Sequence, residues 1–182
     1  MLNSFDPDHP GTLICNETTD TPVIKGITAI RNLSIVTVQG RGMQGVPGVA
    51  GRVFSAVARS GASVLMITQS SSEQSICFVV RTAEAKSVVA MVEREIELEI
   101  MRGELERVVK QDEVAIIAVV GVGMRGRPGI AGRVFSAVAE SNINIISIAQ
   151  GSSEDHLSLV VAHSDVDEGV RAIHRQFQLE QV

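Results

Sequence analysis

Tryptophan and tyrosine are absent from the 182-residue sequence, and aromatic residues make up only 3% of it. The formal net charge is −5, and the 16 lysines and arginines form no basic stripe. Nucleic-acid-binding proteins typically carry such a stripe, and many also carry aromatic side chains that stack on bases. We therefore expect no nucleic-acid partner.

Cysteines and long apolar runs are also scarce. Cys15 and Cys77 lie far apart and are the only cysteines, and none of the four histidines has a partner at metal-ligand spacing. We therefore expect reduced thiols, no metal site and no cofactor. The longest apolar run, VAIIAVVGVG, is shorter than the ~20 residues that a membrane span needs. Since the N-terminus is polar and broken by proline, it does not resemble a signal peptide. These features predict a cytoplasmic protein without a membrane partner.

An internal repeat dominates what is present. Residues 40–80 align without gaps on residues 121–161 at an offset of 81, with more than half of the positions identical, and GRVFSAVA occurs in both copies. Such similarity indicates two copies of one supersecondary unit.

Each copy has the same predicted order of elements. A β-branched strand (LSIVTVQ or VAIIAVV) leads into a glycine-rich loop with Pro-Gly, and then into a helix that begins at Val49 or Ile130. Gly61 and Asn142 stand where a left-handed helix stop belongs. There follow a second strand (SVLMITQ or NINIISIAQ), a polar turn, a third strand (SICFVV or HLSLVVA) and a second helix. Before the last helix, Asp165 and Glu168 have the spacing of a capping box.

This order predicts an α+β fold made of two ferredoxin-like βαββαβ modules. Each module needs one more strand, and the candidates are VIKGITAI (23–30) and ELERVVK (104–110). We assign residues 1–22 to a linker from a preceding domain, 23–103 to module 1 and 104–182 to module 2. Strand 23–30 could instead complete module 2, which would make that module discontinuous, with the other inserted in it.

The glycine-rich loops GRGMQG and GVGMRG match the spacing G-x-G-x-x-G of dinucleotide-binding turns. The nucleotide interpretation is weak because Pro47 and Pro128 delay the helix, and because Gln69 and Gln150 stand where a ribose-binding acid belongs. The loop could instead hold the carboxylate of a small zwitterion near a helix N-terminus, with the glutamine amide as a second contact. The plain structural alternative is a tight turn beside a strand end. No pattern of catalytic residues is present.

The strings GMxGxPGxAGRVFSAVA, MITQSSSEQSICFVV and IAQGSSE resemble the regulatory region of aspartokinases, a tandem pair of ACT domains, and the threonine-sensing bifunctional aspartokinase–homoserine dehydrogenases most. NSFDPDHPGTLI resembles the segment that joins the kinase domain to this region, whereas the kinase's own lysine-glycine motif is absent. The resemblance implies feedback regulation of aspartate phosphorylation by ATP, a homodimer formed through the ACT modules, and a kinase catalytic domain as partner in the whole protein.

The resemblance also implies effector contacts from the loop, the first helix and the second strand. In the first copy these are Met43, Gly48, Val49, Ala50, Ser63, Val64 and Gln69. In the second copy they are Met124, Gly129, Ile130, Ala131, Asn144, Ile145 and Gln150.

The sensed amino acid is predicted to be threonine, with lysine as the alternative. The second strands and the loops contain no acidic residue that could pair with a lysine ammonium, and a buried unpaired charge costs several kcal/mol. A glutamine amide can satisfy a threonine hydroxyl. Two other functional classes remain open: a ligand-free dimerisation module and a small nucleotide-binding enzyme.

Overall fold

The computed structural model describes residues 23–179, which form two α/β modules that share one six-stranded sheet. The predicted linker 1–22 lies outside the described residues. The strands are β1 (Gly26–Gln39), β2 (Met66–Gln69), β3 (Ser75–Arg81), β4 (Val109–Val120), β5 (Ser147–Gln150) and β6 (His156–Ala162). The helices are α1 (Val49–Arg59), α2 (Thr82–Glu95), α3 (Glu97–Met101), α4 (Ile130–Glu140) and α5 (Val166–Gln176).

The two long strands β1 and β4 lie at the centre of the sheet, whose order is β2-β3-β1-β4-β6-β5. The first part of β1 pairs with the second part of β4, from Gly26 opposite Val120 to Ile30 opposite Ile116. The second part of β1 pairs with the start of β4, so each long strand contributes to both modules. The ferredoxin-like fold class is confirmed, and the pairing of Gly26–Ile30 with the second part of β4 is the one that the discontinuous alternative predicts.

A bulge marks the point where each long strand passes from one module to the other. Asn32 in β1 and Glu113 in β4 have left-handed backbones, with φ of 60° and 56°, and the register shifts on either side of the Leu33–Val114 pair. These two paired residues are themselves 81 residues apart, which is the repeat offset. The pair therefore lies on an internal pseudo-twofold axis that relates the two modules.

Three apolar cores fill the structure. Each module has one core between its helices and its face of the sheet, and Ile24 from the segment before β1 is buried in the core of module 2. The third core lies on the opposite face and contains Leu33 and Val114. Around it the sheet curls until its edge strands meet, where Thr68 Oγ1 donates to the Ile148 carbonyl at 3.0 Å.

Several local expectations differ from the structure. VIKGITAI is no separate strand, because its Gly26–Ile30 part continues into β1, and of ELERVVK only Val109 and Lys110 are in β4. The capping box is wrong: Asp165 makes no side-chain cap bond, and Glu168 instead accepts from Arg175 at 2.7 Å. The short helix α3 was not expected. The predicted left-handed stops are confirmed, with φ of 79° at Gly61 and 56° at Asn142.

Candidate functional site

Each module contains a cavity at the same place, between the loop that follows its long central strand and the hairpin of its two outer strands. The first-module cavity measures about 350 Å³ and the second-module cavity about 330 Å³. The first is lined by Met43, Gly45, Val46, Pro47, Gly48, Val49, Ala50, Gln69, Glu73 and Ile76. The second is lined by Met124, Gly126, Arg127, Pro128, Gly129, Ile130, Ala131, Gln150, Glu154 and Leu157.

The loop that forms one wall is anchored by a methionine and ended by a glycine. Met43 is buried in the first-module core and Met124 in the second. Gly48 and Gly129 have left-handed backbones, with φ of 92° and 87°, directly before α1 and α4. Only glycine adopts this conformation without strain, so the sequence sets the point at which the helix begins.

Among the described residues, no side chain caps the first turn of either helix. Val49 and Ala50 line the first cavity and Ile130 and Ala131 the second, so first-turn backbone N–H groups lie at the cavity wall. Such N–H groups and the partial positive charge of a helix N-terminus favour an anionic group.

A glutamate from the hairpin reaches across each cavity to the loop. Glu73 Oε2 accepts the Gly45 N–H at 3.0 Å, and Glu154 Oε2 accepts the Gly126 N–H at 2.7 Å. Both glutamates have left-handed backbones, with φ of 58° and 59°. The loop amides that the glycine pattern suggested for an anion are therefore already occupied at Gly45 and Gly126.

Gln69 and Gln150 end the edge strands β2 and β5 and line the two cavities. Both are exposed, and within residues 23–179 neither side-chain amide has a hydrogen-bond partner. Ile67 and Ile148 lie two residues earlier on the same face of each strand and are 50% and 40% exposed. Neither isoleucine lines a cavity, so the side chains that meet there are the available glutamine amide and the apolar residues of the lining, among them Ile76 in the first cavity and Leu157 in the second.

The structure brings most of the predicted effector residues together. Ser63, Val64, Asn144 and Ile145 do not line the cavities, since β2 and β5 begin only at Met66 and Ser147. Val64 and Ile145 pack against the cores. The other ten predicted residues line a cavity. Sequence reasoning missed Glu73 and Glu154 as cavity residues, although their repetition at the same offset was a usable signal.

The first helix of each module is held from outside the cavity by an arginine. Arg52 of α1 donates to Glu95 and Glu99, and its hydrogen bonds lower the pKa of both carboxyl groups, with Arg59 adding to the effect at Glu95. Its counterpart Arg133 of α4 donates to the Gln176 carbonyl at 2.8 Å and lies 4.1 Å from the centre of the Phe177 ring.

No helix within residues 23–179 is both long and apolar enough to cross a membrane. The same residues contain no group of three or more histidine, cysteine, aspartate or glutamate side chains arranged to hold a metal ion.

Both repeats match a known domain family. Residues 36–96 and 117–177 match the family model of the ACT domain. The bifunctional aspartokinase/homoserine dehydrogenase of Haemophilus influenzae is 44% identical over 176 residues, which cover 96% of this chain and 22% of that protein. The chain thus spans about a fifth of the length of this curated relative.

Two solved structures share the fold over most of the chain. The ligand-free regulatory subunit of aspartate kinase from Thermus thermophilus has a TM-score of 0.70 at 26% identity, covering 85% of this chain and 98% of that one. Aspartokinase III of E. coli in complex with lysine and aspartate has a TM-score of 0.71 at 26% identity, covering 95% of this chain and 37% of that one.

Proposed function

Since this chain belongs to the ACT domain family, as a tandem pair of the aspartokinase regulatory type, we propose that it binds a free amino acid in its two cavities. In a longer protein, binding would regulate the phosphorylation of aspartate by ATP in an attached kinase domain. The observation that carries this proposal is the repeated cavity, in which an unpaired glutamine amide, a carboxylate and uncapped helix N–H groups surround a space of about 350 Å³.

An amino acid matches these three groups. Its carboxylate suits the first-turn N–H groups near Val49 and Ala50. Its ammonium suits the exposed carboxylate of Glu73, which uses one oxygen for the Gly45 N–H. Its side chain then lies near Gln69 and Ile76. The second cavity offers the same set of groups through Glu154 and Gln150.

Threonine fits this arrangement better than lysine. Each cavity contains one glutamate, and the α-ammonium of any amino acid uses it. Lysine would bring a second ammonium, for which the described lining residues offer no second acid, and an unpaired charge costs several kcal/mol to desolvate. The threonine hydroxyl can both donate to and accept from a glutamine amide, and its methyl group suits the aliphatic lining residues Ile76 in the first cavity and Leu157 in the second.

Regulation requires that the effector bind two states of the protein unequally. The structure of the E. coli relative in complex with lysine and aspartate is a T-state. This supports an equilibrium between two conformational states that amino acids shift in regulatory regions of this type. We further propose a homodimer, because Ile67 and Ile148 leave apolar surface exposed on the edge strands.

Calorimetric titration of the chain with threonine, lysine, ATP and NAD tests the proposal. We expect saturable binding of threonine and none of either nucleotide. The substitutions Gln69→Ala and Gln150→Ala should each weaken threonine binding at their own cavity by about 1–3 kcal/mol, roughly 5- to 150-fold. Gln111→Ala, an exposed glutamine outside both cavities, is the matched control and should have no effect.

Three outcomes would contradict the proposal in different ways. Tighter binding of lysine than of threonine would refute the choice of ligand. Unchanged threonine affinity in both alanine variants would refute the site. A chain that sediments as a dimer but binds no amino acid would be a dimerisation module instead.

A further inference from the structure

The two cavities have almost the same lining residues and differ in one charged side chain. At the ten equivalent lining positions, seven residues are the same and two differ only between aliphatic side chains. The remaining position is Val46 in the first cavity and Arg127 in the second. Because the backbones are related by the pseudo-twofold axis, a difference in ligand preference must come mainly from this position.

Arg127 adds a positive charge that nothing in the described structure neutralises. Within residues 23–179 its guanidinium makes no ion pair and no side-chain hydrogen bond, and Glu154 in the same cavity is engaged by the Gly126 N–H instead. The first cavity thus contains one carboxylate and no side-chain cation. The second contains one carboxylate and one guanidinium.

We propose that Arg127 gives the second cavity a preference for an amino acid with an acidic side chain, which the first cavity does not share. This inference rests on the proposed amino-acid binding and deepens it by assigning different ligand classes to the two modules. Glu154 would take the α-ammonium and the helix N–H groups the α-carboxylate, so that the guanidinium remains for a second carboxylate. A guanidinium is suited to that task because its planar donors match the two oxygens of a carboxylate.

The size of the effect follows from Coulomb's law at a partly exposed site. An ion pair between ligand and protein, a few ångströms apart near the protein surface, raises the affinity for the ligand by about three- to tenfold once solvent screening is allowed for. Aspartate and asparagine have the same shape and differ by one charge, so the ratio of their affinities measures this effect without a change in size.

Calorimetry on two variants, each with one weakened cavity, tests the inference. Gln69→Ala weakens the first cavity and leaves the second with its full lining, whereas Gln150→Ala weakens the second and leaves the first with its full lining; we call these two variants the single-cavity proteins. We expect the aspartate-to-asparagine affinity ratio to be about three- to tenfold higher in the Gln69→Ala protein, and the difference to shrink with added salt. Adding Arg127→Val to that protein should abolish the preference, and adding Val46→Arg to the Gln150→Ala protein should create it.

Arg125→Val is the matched control. It removes the same charge as Arg127→Val, two residues away, and Arg125 does not line the cavity. Equal ratios in the two single-cavity proteins, a preference that survives Arg127→Val, or an equal response to Arg125→Val would each overturn the inference. If threonine binds but neither aspartate nor asparagine does, the inference fails while the proposed function stands. If no amino acid binds the unmodified chain, both fail together.

Discussion

Gly121 offers a direct test of how the N-terminal segment completes module 2. It follows β4 and has a φ of 179°, an extended conformation open to any residue. Its surroundings are the constraint: a Cβ at this position would lie 2.2 Å from the Val23 carbonyl oxygen and 2.8 Å from the Ile24 Cα. We predict that Gly121→Ala destabilises the protein by displacing the segment before β1.

The magnitude follows from what the clash would move. Both obstacles are backbone atoms, so no flexible side chain can give way, and forcing extra volume into a packed site costs about 1–3 kcal/mol. If the segment before β1 moved away to avoid the clash, Ile24 would become exposed. This side chain is 1% exposed in the structure, and its burial is worth about 1.5–3 kcal/mol. Since the two routes cost similar amounts, we expect a loss of about 2–3 kcal/mol in the free energy of unfolding.

Urea denaturation measures this loss, and hydrogen exchange locates it. Exchange should accelerate at Lys25, whose N–H donates to the Val120 carbonyl at 2.8 Å, and along Gly26–Ile30. Gly132→Ala is the matched control: this glycine lies inside α4 with nothing within 4 Å of the added Cβ, and the change should stabilise the helix by up to about 1 kcal/mol. A Gly121→Ala protein within about 0.5 kcal/mol of the unmodified chain would refute the reasoning, since that is the range of neutral surface changes.

Other predictions follow from single contacts. Hydrogen bonds from Arg52 and Arg59 hold the pKa of Glu95 below its usual 4.5, so the stability it contributes is present above that value and lost as pH falls through the lower folded pKa. Arg52→Gln should therefore make unfolding free energy less sensitive to acid below about pH 4.5, as denaturation at several pH values would show. Glu154→Ala should accelerate hydrogen exchange at Gly126 by removing its acceptor, and unchanged exchange would contradict the contact. Ile67→Lys should weaken self-association in sedimentation, whereas an unchanged dimer would place the interface elsewhere.

Much of the fold could be predicted because the signals are local and occur twice. Runs of β-branched residues predicted the central strands, and the glycine before Val49 and before Ile130 fixed the helix starts. The residues of one strand alone do not show where that strand ends. Nothing local distinguishes a strand that ends at Ile30 from one that continues through a bulge at Asn32, since the bulge depends on pairing with β4.

The cavity was predicted only in part, for a related reason. Gln69 and Gln150 were recognisable because an amide at a strand end suggests no structural role of its own. Glu73 and Glu154 stood in polar turns, where an acidic residue is ordinary, and their contact is made to a loop amide 28 residues earlier. The capping box failed because Glu168 had a stronger local alternative in Arg175, a charge-assisted bond within the same helix.

Because the two repeats share their long strands, neither repeat is expected to fold alone. A cut between residues 103 and 104 follows the sequence repeat, yet it would separate Ile24 and Gly26–Ile30 from the core and the strand that they complete. It would equally remove Val109 and Lys110 from their partners in β1. Each module would lose a paired strand segment and expose the backbone edge behind it, and a core of this size has little surplus stability to offset that loss. We therefore expect the pair of modules, with Leu33 and Val114 buried at its axis, to unfold as one cooperative unit, although neither repeat shows this dependence in its own sequence.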